Sequence, residues 1–174
     1  MEKNENIIEI TEIIKTFEAP LILYAARFLN DIDGARDIVQ ETFIRYLRIS
    51  QKGEQKKIGN VQAWLYKVTR NQCLDIKKSA QTKYEVHLPE DIDHKNNGQH
   101  SPDRAIEQKE LMMIVKEKIN KLPEREREIV ILKLEHGKSY KEIADIMGLT
   151  VTNVGFILHQ AIKKLSEQLK ELNC

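Results

Sequence analysis

The stretch Ser139–Leu165, SYKEIADIMGLTVTNVGFILHQAIKKL, decides how the rest of the chain is read. Ser139 is a good N-cap, and Glu142 follows three residues later, so the pair has the form of a capping box. Ile143, Ala144 and Met147 then recur at helical spacing. Ala144 is small where two crossing helices must approach closely. Gly148 suits the left-handed residue that ends a helix, Leu149 can plug the turn, and Thr150 can cap a second helix. On that helix Val154, Ile157, Leu158, Ala161 and Leu165 form one apolar stripe. A short helix, a glycine turn and a second helix with a polar N-terminal face predict a helix-turn-helix, the geometry that puts a helix into the major groove. Helix–glycine–helix pairs also occur in all-α proteins that bind no nucleic acid, so the remainder of the chain has to decide.

The chain has 174 residues, 41% hydrophobic and 32% charged, with seven Gly and four Pro. This is a helix-rich profile, with length for one ordinary domain or two small ones. The net charge of +1 points to no partner, but its distribution does. Between Thr42 and Lys78 lie nine basic residues against two acids, Glu54 and Asp75, a local excess suited to a polyanion. Cys73 and Cys174 have no CxxC or Cys/His ligand spacing, and His87, His94, His100, His136 and His159 are scattered, so no metal is expected. The start, MEKNENIIEI, lacks the apolar core of a signal peptide, and no apolar run is long enough to span a bilayer. A cytoplasmic location without membrane insertion is expected.

Upstream, Asn4–Phe17 is amphipathic, Ala19-Pro20 reads as a break, and Leu21–Leu29 reads as a second helix. Asn30–Gly34 reads as a turn before a third helix, from about Ala35 to Ser50. It has Ile38, Val39, Phe43, Tyr46 and Leu47 inward and Asp37, Gln40, Glu41 and Arg45 outward. A polar loop, Gln51–Asn60, precedes a fourth helix from Val61 to about Lys78. There Val61, Trp64, Leu65, Val68 and Ile76 fall on one side, and Lys67, Arg70, Lys77 and Lys78 on the other. A face so nearly all positive is unusual for a helix stabilised by i,i+4 ion pairs and suits phosphates instead. Ser79–Ser101 is polar and aperiodic and reads as a linker. Pro102-Asp103 opens a helix to about Lys121, with Ile106, Leu111, Ile114, Val115 and Ile119 available for packing. Pro123 opens another, over Glu124–Glu135, with Ile129, Val130, Leu132 and Leu134. The fold class expected is all-α: two small helical domains of about four helices each, residues 1–78 and 102–174, joined by a polar linker at 79–101.

Two stretches then resemble one family, in order. DIDGARDIVQETFIRYLR (Asp31–Arg48) followed by AWLYKVTRNQCLDIKK (Ala63–Lys78), and LPEREREIVILKLEHGKSYKEIADIMGLTVTNV (Leu122–Val154), look like a bacterial extracytoplasmic-function sigma factor. The resemblance runs from about Leu21 to Leu165. It implies a subunit of RNA polymerase that does no covalent chemistry. It implies that Asp37, Gln40, Glu41 and Arg45 dock on core polymerase. Lys67, Arg70, Asn71, Lys77 and Lys78 would engage and open the minus-ten element, melted non-template strand included. Trp64 is expected to be core, leaving any base pocket to the Gln51–Asn60 loop. Thr150, Thr152, Asn153, Phe156, His159 and Lys163 would meet the double-stranded minus-thirty-five element. An anti-sigma partner is implied; no cofactor is. One departure stands out. Where the family usually has a Lys-Ser-Arg type run after Val154, this chain has Gly155-Phe156-Ile157, and Gln160 replaces an Arg. A weak or unusual upstream contact follows, with Phe156 facing DNA, a partner protein or the preceding helices. The other readings are a stand-alone helix-turn-helix regulator, or a sigma-like interaction protein that no longer reads upstream DNA. An enzyme is not expected: no Gly-rich phosphate loop, metal spacing or nucleophile set is present.

Overall fold

The computed structural model describes residues 2–83 and 104–170, with side chains described over 7–80 and 111–170. The chain divides into two compact units, both helical. The first contains α1 (Glu2–Leu29), α2 (Ile32–Gln51), a 3-10 turn at Gln55–Lys57, and α3 (Val61–Lys83). The second contains α4 (Arg104–Asn120), α5 (Glu124–Leu134), residues 140–144 of α6 (Tyr140–Met147) and α7 (Val151–Lys170).

Within the first unit α1, α2 and α3 all pack on one another. The core is Leu21, Tyr24 and Ala25 from α1, Ile38, Val39, Phe43 and Tyr46 from α2, and Leu65, Tyr66 and Cys73 from α3. Each large side chain so buried contributes about 1.5–3 kcal/mol. Tyr24 sits at the centre, edge-on to Phe28 at 5.2 Å and tilted against Tyr66 at 5.1 Å between ring centroids.

The break expected at Ala19-Pro20 does not occur. Pro20 lies inside α1, so the first unit has three α-helices where four were expected. Proline removes one backbone hydrogen bond and crowds the carbonyl a turn earlier, a cost of about 3 kcal/mol. The helix persists because one packing stripe crosses the proline. Ile13 and Phe17 are partly buried before it, and Leu21, Tyr24 and Ala25 are fully buried after it.

The turn expected over Asn30–Gly34 is shorter than that. Asn30, at φ 52°, ends α1, and α2 starts at Ile32. Asp31 is the N-cap, its carboxylate accepting from the Asp33 amide at 3.0 Å. Gly34 leaves room for it, since a Cβ there would lie 2.7 Å from the Asp31 carboxylate oxygen.

On α3 the helix continues five residues past Lys78, so the start of the expected linker, Ser79–Lys83, is helical. The rest of that linker lies outside the described residues, with His87, His94, His100, Pro102 and Asp103; so does Cys174. The buried face of α3 also differs from expectation. It runs through Leu65, Tyr66, Thr69 and Cys73, while Ile76, placed on the packing side by its spacing, is 47% exposed. Burial along α3 ends at Cys73, so periodicity beyond that point has no core to meet.

In the second unit α7 packs on α5 and α4. Ile129, Val130, Ile131 and Leu132 are buried on α5, and Val154, Leu158, Ala161 and Leu165 on α7. An exposed-edge ion pair, Lys164 Nζ to Glu126 Oε1 at 2.6 Å, ties the same two helices. Leu111 and Leu134, expected to pack, are exposed. Leu134 instead borders an open apolar groove of about 490 Å³ whose walls include Val115, Ile119, Ile162 and Leu169. No described helix is long and apolar enough to cross a membrane.

Pro20→Ala is expected to stabilise the first unit by about 1–3 kcal/mol, by restoring a backbone bond in a helix already held by packing. Trp64, the chain's single tryptophan, lies in that unit and reports its urea midpoint by fluorescence. A lower midpoint for the variant would mean that the core needs the proline.

Candidate nucleic-acid interface

Three exposed helix faces carry the candidate residues. The first is on α2. Asp37, Gln40 and Arg45 are exposed and Glu41 is partly so. Their spacing puts all four on one side, opposite Ile38, Val39, Phe43 and Tyr46. Arg45 Nε donates to Glu41 Oε1 at 3.0 Å, an i,i+4 pair that holds both heads on the surface. Ile44 stands in the middle of this polar face, 39% exposed. The sequence reading passed over it, although it lies four residues from Gln40 and seven from Asp37.

The second face is on α3, fixed to α2 by a buried polar seam. The Thr42 hydroxyl donates to the Ile38 carbonyl at 3.0 Å, lies 3.2 Å from the Thr69 hydroxyl, and accepts from Gln72 Nε2 at 2.8 Å. Asn60 starts α3, its side-chain oxygen accepting from the Ala63 amide at 3.0 Å. From that start Lys67, Asn71 and Lys78 form one exposed stripe, at i, i+4 and i+11. Arg70 and Lys77 stand at its flank, both partly buried. Lys77 Nζ lies over the Phe28 ring, 5.9 Å from its centroid. The five residues expected together are thus divided into a central stripe of three and a flank of two.

The aromatic residues of α3 sort differently from expectation. Trp64 is only partly buried, 5.9 Å from the Tyr46 ring. Tyr66 is the fully buried one, and burial pushes its hydroxyl pKa up to about 12. Before α3, Gly53 turns the chain at φ 68° and Glu54 pairs with Lys57 at 2.8 Å. In this loop the side-chain oxygen of Gln55 is buried and accepts no hydrogen bond from the described residues. Sequence patterning carries no signal for that.

The third face is on α6 and α7. Ser139 caps α6. Its amide donates to Glu142 Oε2 at 2.8 Å, and its hydroxyl accepts from the Glu142 amide at 3.2 Å. The capping box is therefore present. Gly148 has φ 67°, and the Leu149 amide reaches back to the Ala144 carbonyl at 2.9 Å. Thr150 caps α7 through the Asn153 amide at 3.2 Å. Thr150, Thr152, Asn153, Phe156, His159 and Lys163 are all exposed, and the last five share one side of α7. Phe156 does not pack against the preceding helices; it is 62% exposed. Gly155 faces Tyr140, whose ring would lie 3.6 Å from a Cβ at that position. Lys133 Nζ sits over the same ring at 5.3 Å. Among the described residues no group of His, Cys, Asp and Glu is placed to hold a metal ion.

This arrangement has known counterparts. The sigma-70 region 2 pattern matches residues 13–82, and the sigma-70 region 4 pattern matches residues 112–165. The chain is 31% identical over 159 residues to the probable ECF RNA polymerase sigma factor SigI of Mycobacterium tuberculosis, covering 88% of this chain and 53% of that one. It therefore spans about half the length of SigI. It is 28% identical over 169 residues to the ECF RNA polymerase sigma factor SigW of Bacillus subtilis, covering 92% of this chain and 89% of SigW. The sigma factor RpoE of Bartonella quintana, solved with the anti-sigma factor NepR, has a similar fold. The TM-score is 0.68 at 22% identity, over 93% of this chain and 97% of that one. CnrH, solved with the cytosolic domain of CnrY, matches with a TM-score of 0.61 at 22% identity, over 93% of this chain and 88% of that one. With both sigma-70 regions present in order on one chain, and with relatives of this kind along nearly all of it, the chain belongs to the extracytoplasmic-function group of the sigma-70 family.

Proposed function

We propose that this chain is a dissociable promoter-specificity subunit of RNA polymerase, acting in the cytoplasm and doing no covalent chemistry itself. The observation that carries this reading is the pairing of two distinct exposed surfaces on one three-helix unit. The α2 face of Asp37, Gln40, Glu41 and Arg45 is mixed in charge and built around Ile44, as a protein contact would be. The α3 stripe of Lys67, Asn71 and Lys78 is cationic, as a strand contact would be. The seam through Thr42, Thr69 and Gln72 fixes the angle between the two faces.

In this reading residues 1–78, with the extension of α3, bind core polymerase and the minus-ten element. Residues 102–174 read the minus-thirty-five element, and 79–101 with the rest of the chain up to α4 joins them. Arg70 and Lys77 hold the flank of the melted strand, and the Gln51–Asn60 loop receives a displaced base. The donor-free oxygen of Gln55 supports that placement, because a buried acceptor without a partner costs about 1–3 kcal/mol and an exocyclic base amine supplies the missing donor. An anti-sigma protein is the regulatory partner we propose, by analogy with RpoE, which was solved with NepR. The uncharged start of α7 favours a second reading, a sigma-like interaction protein blind to upstream DNA.

Run-off transcription with bacterial core polymerase and a genomic fragment library separates these. Discrete new starts support the specificity subunit. Core binding without starts supports the DNA-blind reading. DNA binding without core binding returns the chain to the stand-alone regulators.

Two sets of variants test the faces. Asp37→Arg with Glu41→Arg is expected to weaken core binding about tenfold or more, measured by anisotropy of the labelled chain, while Trp64 fluorescence stays native. Lys67→Glu with Lys78→Glu is expected to leave core binding intact, lower start frequency about tenfold, and flatten the salt dependence of promoter binding by roughly two phosphates. If the second pair reduced core binding and left the salt slope unchanged, α3 would not be the strand-binding face.

A further inference from the structure

The second helix of the helix-turn-helix has an uncharged front. From Val151 to Ile162 it holds no Lys or Arg. Its first cation, Lys163, is about 18 Å along the axis from its first residue. In a major-groove complex the N-terminal turns of this helix are the ones that reach base edges. There guanine is read chiefly by Arg or Lys, adenine by Asn or Gln, and thymine by apolar contact with its methyl group. Only the last two chemistries are present on these turns.

Phe156 is the exposed aromatic among these groups. It is not held by packing. Thr152 lies one turn before it on the same ridge and Asn153 beside it, both exposed. The Asn153 backbone is fixed by Thr150, so its side chain is presented from a capped and ordered turn. On the flank toward α6, Gly155 has no side chain and the Tyr140 ring fills the space, so no longer neighbour screens Phe156 there. Cations are supplied from other helices, Lys133 over the Tyr140 ring and Lys141 on the exposed side of α6. Positioning by phosphates and reading of bases are thereby assigned to different elements.

We propose that Phe156, with the Thr152 methyl beside it, is a specificity-determining residue that reads thymine 5-methyl groups, and that Asn153 reads an adjacent adenine. The upstream element of this chain then consists of A·T pairs under the first two turns of α7. This rests on the promoter-reading role proposed above.

The test uses the full chain assembled with core polymerase. The probes are promoter duplexes with a fixed minus-ten element and a randomised ten-pair upstream segment, made once with thymine and once with deoxyuridine. The thymine pool is expected to select A·T pairs at adjacent positions. Selected duplexes are expected to lose about fourfold in affinity for each contacted thymine replaced by deoxyuridine, the effect of burying one methyl-sized group. Phe156→Ala holoenzyme is expected to lose most of this thymine-against-uracil discrimination, with unchanged core affinity. Selection of G·C pairs, equal binding of both versions by the parent chain, or full discrimination kept by Phe156→Ala would each overturn the proposal. Loss of core binding in Phe156→Ala would overturn it too, and would assign the ring to a protein partner. Failure of the underlying reading appears separately, as a parent chain that does not bind core; thymine-against-uracil discrimination is then read on duplexes with the full chain alone.

Discussion

The Thr42 hydroxyl sits where α2 meets α3, with its hydrogen-bonding capacity filled. It donates to the carbonyl a turn behind it, faces the Thr69 hydroxyl, and accepts from Gln72. A hydroxyl has one proton and two lone pairs, and all three are used. Leaving any of them unmet in a core of Tyr24, Leu65 and Tyr66 would cost about 1–3 kcal/mol. The seam therefore has one satisfied register, and rotating either helix by one residue breaks it. The outward faces of α2 and α3 inherit their mutual angle from this cluster, so the orientation of both faces depends on two buried threonines that belong to neither face.

The helix-turn-helix is organised by a different constraint, the satisfaction of helix ends. Within a dozen residues the chain starts and stops α6, turns, and starts α7. Ser139 with Glu142, Gly148 in the left-handed region, and Thr150 each answer one set of orphan backbone groups. With the ends fixed locally, α7 is free to divide its circumference. Val154, Leu158, Ala161 and Leu165 face the core, and Thr152, Asn153, Phe156, His159 and Lys163 face outward. Lys164 is held to Glu126, so its charge is partly balanced and the outward face is more neutral than its composition suggests.

These two devices place chemistry in complementary ways. In the first unit, cations line a helix whose register is set by a buried network. In the second, a capped helix presents apolar and amide groups, and the nearby cations come from its neighbours. In the role proposed for this chain, less charge on α7 shifts affinity toward the polymerase and choice of site toward base chemistry.

Much of this was legible in the sequence because it is local. Caps, the glycine turn and the 3.6-residue stripe of α7 are set by residues within a few positions of one another, and all are where the spacing put them. So is the division of α2 into a buried and a polar side. What the sequence could not settle depended on partners distant along the chain. Pro20 ends a helix by local rules, yet a packing stripe on both sides carries α1 through it. Ile76 has the spacing of a core residue, but the core stops at Cys73. Tyr66 and Trp64 differ by two positions, and only the neighbouring helices decide that the first is sealed and the second half-open. Arg70 and Lys77 carry the same charge as Lys67 and Lys78 but lie roughly 60–100° round the helix from them, and packing half-buries that flank, with Lys77 over the Phe28 ring. The sequence by itself determined the all-helical class, the caps and glycine turn between α6 and α7, and the family the chain belongs to. The tertiary structure decided which faces remain open, because burial is a property of the space between helices and not of the order of residues along one.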